Sequence, residues 1–148
     1  MSQFEVLLTD EEWKKKLTKN EYKVLRNKET EDMGGKYDLF QPANGFFKCK
    51  ACDNPLYSAK AKFQAGCGWP AFDKCFNGSI ITDANEEENM IEIMCSKCGG
   101  HLGHIFLNEH HTDTNERHCV NSISIKYDNG SFTADESKLV TYFKGEQY

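Results

Sequence analysis

Cys49-Lys50-Ala51-Cys52 and Cys95-Ser96-Lys97-Cys98-Gly99-Gly100 are the two stretches that decide the fold of this 148-residue chain. Each is a C-x2-C pair, and 42 residues lie between them. In such a knuckle two thiolates stand close enough to share one metal ion, and a following glycine lets the turn tighten. Two knuckles complete a tetrahedral four-sulfur site. Iron fits the same geometry, but zinc suits four thiolates and is the commoner occupant of paired knuckles. A closed set of four leaves no open position for substrate. One structural Zn2+ per chain, held by Cys49, Cys52, Cys95 and Cys98, is therefore expected. Each knuckle follows a predicted strand, so the metal joins two parts of a β-body that lie far apart in sequence.

The runs around the knuckles read as strands: Tyr37–Gln41, Phe46–Cys49, Ser79–Thr82, Met90–Cys95, His104–Leu107, Val120–Tyr127 and Leu139–Phe143. Asn44-Gly45, Asn77-Gly78 and Asn129-Gly130 are tight-turn dipeptides among them, and frequent short strands with such turns indicate antiparallel sheets. Ile123 and Ile125 alternate with Ser122, Ser124 and Lys126 as in a half-buried strand. Nothing after residue 34 is long enough for a βαβ unit. Before it, Thr9 with Glu12 and Thr18 with Glu21 are two capping boxes. They predict short helices over 10–17 and 19–26, lying on the body through Trp13, Leu17, Tyr22 and Leu25. Glu86-Glu87-Glu88 reads as a solvated acidic turn.

Composition sets the outer bounds. Hydrophobic residues make up 39%, aromatics 12% and charged residues 28%, which suits one globular domain with its own core. The organisation expected over 1–148 is a helical segment 1–33, a β-core 34–127 and a C-terminal extension 128–148. The net charge of −5 argues against a duplex nucleic-acid binder. No basic leader and no long apolar run is present, so neither a secretory signal nor a membrane helix is expected, and the cytoplasm is the expected compartment. Seven cysteines cannot all pair within one chain. In a reducing compartment they read as metal ligands and reactive thiols.

Three cysteines remain after the knuckles. Cys119, in Arg117-His118-Cys119-Val120-Asn121-Ser122, shares an extended-strand face with Arg117 and Asn121. A guanidinium favours the thiolate, and the thiolate is the nucleophile. His101 and His104 lie just past the second knuckle and can supply protons. Cys67, in Gly66-Cys67-Gly68-Trp69-Pro70, is on an unshielded glycine-flanked loop, placed to approach a partner thiol, with Trp69 as a flat apolar wall. Cys75 has no helper residues and reads as a spare thiol, or a reserve resolving cysteine. His110 and His111 read as loop residues at the rim.

Gly66 to Phe72, Cys95 to Phe106 (CSKCGGHLGHIF) and Arg117 to Ser122 (RHCVNS) together resemble the peptide methionine-R-sulfoxide reductases of the MsrB type. The first knuckle and the helical start agree in order, so the resemblance spans roughly residues 9–127. It implies a mainly β fold of two small antiparallel sheets joined by a four-cysteine zinc site, with two short N-terminal helices. It implies Cys119 as catalytic cysteine, Cys67 as resolving cysteine, and His101, His104, Arg117 and Asn121 as the polar active-site set. Trp69 and Phe106 would hold the substrate methyl group. Three features depart from the family: His118 stands where it usually has Tyr, bringing a third imidazole near the thiol; Leu107–Glu116 lacks the usual Asp-Gly-Pro turn; and nothing after Tyr127 carries a family motif.

The chemistry so implied starts with thiolate attack on the sulfoxide sulfur, which asks for a lowered Cys119 pKa. His101 or His104 protonates the oxygen. The resulting sulfenic acid condenses with Cys67 to a disulfide, which thioredoxin reduces. Expected partners are proteins carrying methionine-R-sulfoxide and thioredoxin, with no nucleic acid and no membrane, for a monomeric enzyme. Two other readings stay open. A zinc-ribbon binding module would leave the surplus Cys, His and Trp without a use, and a Cys-His acyl transferase would need an oxyanion hole that the sequence does not display.

Overall fold

Both capping boxes form. Thr9 Oγ1 accepts from Glu12 N and Glu12 Oε1 accepts from Thr9 N, and the same reciprocal pair links Thr18 and Glu21. They start α1 (Asp10–Lys16) and α2 (Lys19–Leu25) in the computed structural model, which describes residues 4–85, 90–130 and 138–143. Trp13, Leu17 and Leu25 are buried, as the shared-face spacing requires. Arg26 stacks on Trp13 at 4.6 Å and donates from Nη1 to Cys98 O, which fastens the helices to the second knuckle.

The strands, in chain order, are β1 (Phe46–Cys49), β2 (Pro55–Ser58), β3 (Lys62–Phe63), β4 (Ala71–Phe72), β5 (Cys75–Phe76), β6 (Ile80–Asn85), β7 (Met90–Cys95), β8 (His101–Leu107), β9 (Glu116–Val120), β10 (Ile125–Asp128) and β11 (Leu139–Val140). They form a six-stranded sheet in the order β3-β4-β9-β8-β7-β6, a three-stranded sheet β10-β1-β2 and a two-stranded ribbon β11-β5. All pairings are antiparallel. The mainly β architecture with two N-terminal helices is therefore the one the sequence implied. β1 ends at Cys49 and β7 at Cys95, so the knuckles do tie two sheets together. The core between them is built on Phe47, Leu56, Tyr57, Phe72, Ile93, Leu102, Ile105 and Val120.

Two strand expectations need correction. Tyr37–Gln41 is turn and bend, not strand. Asp38 N bonds back to Gly35 O, and the Tyr37 ring is drawn into the core beside Phe40 and Phe47. Val120–Tyr127 is not continuous either: a 3₁₀ turn at Ser122–Ser124 separates β9 from β10. The alternation misled because the serines, not the isoleucine between them, point inward. Ser122 Oγ accepts from Tyr37 N and Ser124 Oγ donates to His101 O. The tail past Tyr127 supplies β11, an added strand against β5. The Glu86-Glu87-Glu88 turn lies outside the described residues.

Candidate functional site

The metal centre follows from two matched turns. Asp53 N bonds to Cys49 O and Gly99 N to Cys95 O, each at 2.9 Å. Asp53 and Gly99 adopt left-handed backbone, φ 66 and 74, so both knuckles close with the same geometry although only one carries the glycine. The four Sγ atoms lie within 4.8 Å of one another, with Cys49 and Cys98 3.7 Å apart and Cys52 and Cys95 3.6 Å apart. A tetrahedron with metal–sulfur bonds of about 2.3 Å has edges of about 3.8 Å, so the donor set fits a four-coordinate metal. Gly100 N and Asn54 Nδ2 also point at Cys98 and Cys95 Sγ, at 3.3 and 3.5 Å, the kind of outer donor that steadies a metal-bound thiolate. Hydrogen bonds among the sulfurs push Cys49 well up and pull Cys95 well down. Four adjacent sulfurs cannot all shed their protons unless a cation sits among them.

The second sulfur site lies on the six-stranded sheet. β3 and β4 form a hairpin whose loop, residues 64–70, holds Cys67 and Trp69. Because β4 pairs with β9, Ala71 facing Cys119, that loop lands directly on Cys119. Val120 N donates to Pro70 O, and Gly66 and Gly68 take left-handed backbone. The result is a Cys67–Cys119 Sγ separation of 3.9 Å. A disulfide needs about 2.05 Å, so a loop shift of about 2 Å would join them.

Register assembles the rest. His104 stands opposite Cys119, and Phe106 opposite Arg117, and paired residues share a sheet face. His101 reaches that face through a bulge. Ile93 pairs with Gly103 but Met94 with His101, so Leu102 is the extra residue. The two imidazole rings then meet at 5.4 Å, edge to face. Gly103 is obligatory there, since a Cβ would stand 1.9 Å from Cys119 O. Thr30, Trp69, His104, Phe106, Cys119 and Asn121 are among the residues lining a pocket of about 140 Å³. That is small beside the roughly 300–1,000 Å³ of drug-sized ligand sites, and suits the tip of one side chain.

Several placements refine the sequence reading. Arg117 does not point freely at the thiol: Nε and Nη2 grip the Glu109 carboxylate at 2.6 and 3.3 Å, and the guanidinium lies 4.3 Å over Phe106. Asn121 is engaged at both ends, donating to Leu102 O and accepting from Glu31 N. His118 is not a third imidazole at the thiol. It alternates to the other face, fully buried, between Tyr57 Oη and Glu116 Oε1, each at 2.8 Å. Glu116 in turn accepts from Tyr142 N and Phe143 N, fixing the tail. The 107–116 loop closes by Asn108 N to Asn115 O, with Asn108 and His110 in left-handed backbone. Cys75 is buried, its thiol pushed up to about 12 by burial, away from the pocket.

The proton affinities also differ from expectation. Arg117 pulls Cys119 down, but the Cys67 hydrogen bond, followed by burial, wins and pushes Cys119 up. Cys67 is lowered to about 5, first by its bond to Cys119 and also by the Trp69 backbone and the Arg117 charge, although burial works against it. The pair thus holds one negative charge readily, on Cys67, and resists a second.

Sequence reasoning missed Glu31 and Glu92. Glu31 binds Ser122 N and Ile123 N through its carboxylate, and its carbonyl accepts from Trp69 Nε1. It holds the wall of the pocket together. Glu92 binds His101 Nδ1 at 2.8 Å. A lone acid in an otherwise apolar strand, MIEIMC, was the available signal.

Residues 17–129 match the SelR domain. A chloroplastic peptide methionine sulfoxide reductase B3 of Oryza sativa subsp. japonica is 47% identical over 134 residues, covering 88% of this chain and 56% of that protein. This chain thus spans a little over half of that relative's length. Peptide methionine sulfoxide reductase B5 of the same rice is 46% identical over 121 residues, 80% of this chain and 88% of the relative. The B3 protein of Arabidopsis thaliana is 47% identical over 120 residues, 80% of this chain and 68% of the relative. With the domain match running through both knuckles, the hairpin loop and the strand of Cys119, this chain belongs to the SelR domain family, the MsrB family its motifs resemble.

Proposed function

We propose that this protein is a methionine sulfoxide reductase that acts on the R epimer in proteins, with all of 1–148 serving as one reductase domain. The observation that carries the reading is the 3.9 Å approach of Cys67 to Cys119 at a small pocket, with His104 directly across the strand pair. A metal-binding module has no use for a second sulfur pair.

Cys119 is the nucleophile. As it attacks the sulfoxide sulfur, its proton has an acceptor in the Cys67 sulfur, and Arg117 favours the charge. His104 gives the oxygen a proton. Thiolate, sulfoxide and one proton become a cysteine sulfenic acid and a thioether. The Cys67 thiol then displaces hydroxide from the sulfenic sulfur, giving a Cys67–Cys119 disulfide and water. A low-potential dithiol protein, thioredoxin, returns both thiols by exchange. Zn2+ on Cys49, Cys52, Cys95 and Cys98 is structural: it locks the two sheets and takes no part in these steps. Seven cysteines without a disulfide suit a reducing compartment such as the cytoplasm, and no helix among the described residues is long and apolar enough to cross a membrane.

Stereochemistry gives the test. Trp69 and Phe106 wall the methyl on one side while His104 serves one oxygen position. Inverting the sulfur would bury the oxygen unpaired, at about 1–3 kcal/mol, and would idle the proton donor, itself worth about 10²–10⁴-fold. Single-turnover assays on each purified epimer should show the R-sulfoxide reduced, the S-sulfoxide refused and Cys119→Ser inert. Equal rates on the two epimers contradict the assignment.

A further inference from the structure

The reaction above gives the buried imidazole of His101 no part. It is 2% exposed, and its Nδ1 meets Glu92 Oε2 at 2.8 Å. Its Nε2 is buried and meets no polar partner among the described residues. The ring packs edge-on against His104, the residue facing Cys119. Register makes this a row: Glu92 faces His104 across β7 and β8, and His104 faces Cys119 across β8 and β9. A second charge steadies the row from outside. Lys28 Nζ binds Glu92 Oε1 at 3.2 Å, from a residue held at φ 61, a conformation few non-glycine residues adopt. Those partners hold the half-buried Glu92 carboxyl below its ordinary range although burial works against it.

We propose that Glu92 is a positioning residue for the imidazole pair. Its carboxylate accepts from His101 Nδ1–H and so fixes that tautomer and the plane of the ring against which the His104 imidazole packs edge-on. His104 gives one proton to the sulfoxide oxygen, and the pair must be recharged before the next cycle. A His101 ring free to flip would no longer hold His104 in one orientation toward the sulfoxide oxygen. Lys28 keeps the carboxylate charged and aimed. The inference rests on the reductase reading for its kinetic part and stands alone for its tautomer part.

The test uses full-length, zinc-loaded protein with 15N-labelled histidine. In the parent, His101 should show the fixed Nδ1–H tautomer. Glu92→Ala should lose that signature and slow the first turnover by about 10–100-fold, as a small misplacement of a reacting group does, with KM unchanged. Glu92→Gln should keep most of both, because the amide oxygen still accepts from Nδ1–H. In a His101→Ala background, Glu92→Ala should add nothing. Should Glu92→Ala fail to bind zinc or fold, Glu92→Asp decides, since it withdraws the carboxylate by one methylene and should lose tautomer and rate together. A parent-like rate or tautomer in the folded variant overturns the proposal, and so does an equal loss without His101. If the parent itself reduces no sulfoxide, the reductase reading fails, while the tautomer result still decides the role of Glu92.

Discussion

The molecule holds two sulfur sites with nearly the same spacing and opposite surroundings. In the four-cysteine cluster the paired sulfurs stand 3.6 and 3.7 Å apart; in the Cys67–Cys119 pair they stand 3.9 Å apart. Distance alone does not separate metal ligand from redox thiol. Number and framing do. The cluster gathers four sulfurs from two rigid turns that end strands of different sheets, with backbone and Asn54 donors behind them. The pair sets one strand cysteine against one on a glycine-flanked hairpin loop, both partly exposed, with Cys119 lining a pocket. The first arrangement can shed all four protons only around a cation. The second can close on itself and reopen.

The sharpest way to break this contrast is to remove one knuckle sulfur. Cys95→Ser leaves an incomplete site that joins two sheets. Structural zinc supplies about 10–16 kcal/mol of apparent binding free energy in zinc-finger peptides, and a domain is stable by only about 5–15 kcal/mol. The variant should lose its one zinc per chain and its cooperative melting together; parent-like melting without metal would reject a structural role.

Next is the loop cysteine. Cys67→Ser should still reduce one equivalent of substrate and then stop with thioredoxin as donor, because the sulfenic acid forms at Cys119 and no neighbouring thiol is left to condense with it. Full thioredoxin-coupled turnover would show that another route resets the enzyme. Cys75, its buried thiol pushed up to about 12 and bonded to Val140 O, should resist alkylation until the chain unfolds.

A smaller effect is the pH profile of alkylation. One thiolate of the pair forms as pH rises through about 5, so iodoacetamide should label Cys67 at a nearly constant rate from about pH 6 upward and about tenfold more slowly per unit below pH 5. A midpoint near the free-cysteine value of about 8.5 would mean that the pair does not share its charge. Smallest for the chemistry is His118→Ala. It leaves Tyr57 Oη without its partner, at about 1–3 kcal/mol for an unpaired buried group, and takes one of three partners from Glu116, so melting should fall while first-turnover rate stays within a few-fold. A catalytic loss as large as that of His104→Ala would return His118 to the thiol side.

Much of this was legible in the sequence because it is local. The capping boxes Thr9/Glu12 and Thr18/Glu21, the strand Met90–Cys95 and both knuckles are written within a few residues each. What was not legible is what pairing creates. β3, β4 and β5 are two residues long and exist only through their partners, yet the β3–β4 hairpin is what delivers Cys67. His101 and His104, three apart, belong on opposite faces of a regular strand, and only the Leu102 bulge brings them together. The alternation that placed Arg117 beside Cys119 also turned His118 away, a consequence readable in advance. Glu31 and Glu92 carried no local mark beyond charge, since their meaning comes from partners about ninety and nine residues away.

The division between the two sulfur sites can be read in one experiment. Reduced, zinc-loaded protein is given one equivalent of methionine-R-sulfoxide without reductant, and its disulfides and zinc content are then mapped. A single Cys67–Cys119 disulfide should appear, with zinc still bound at about one per chain by the four-ligand rule. A disulfide involving Cys49, Cys52, Cys95 or Cys98, or zinc released in step with methionine formed, would contradict that division.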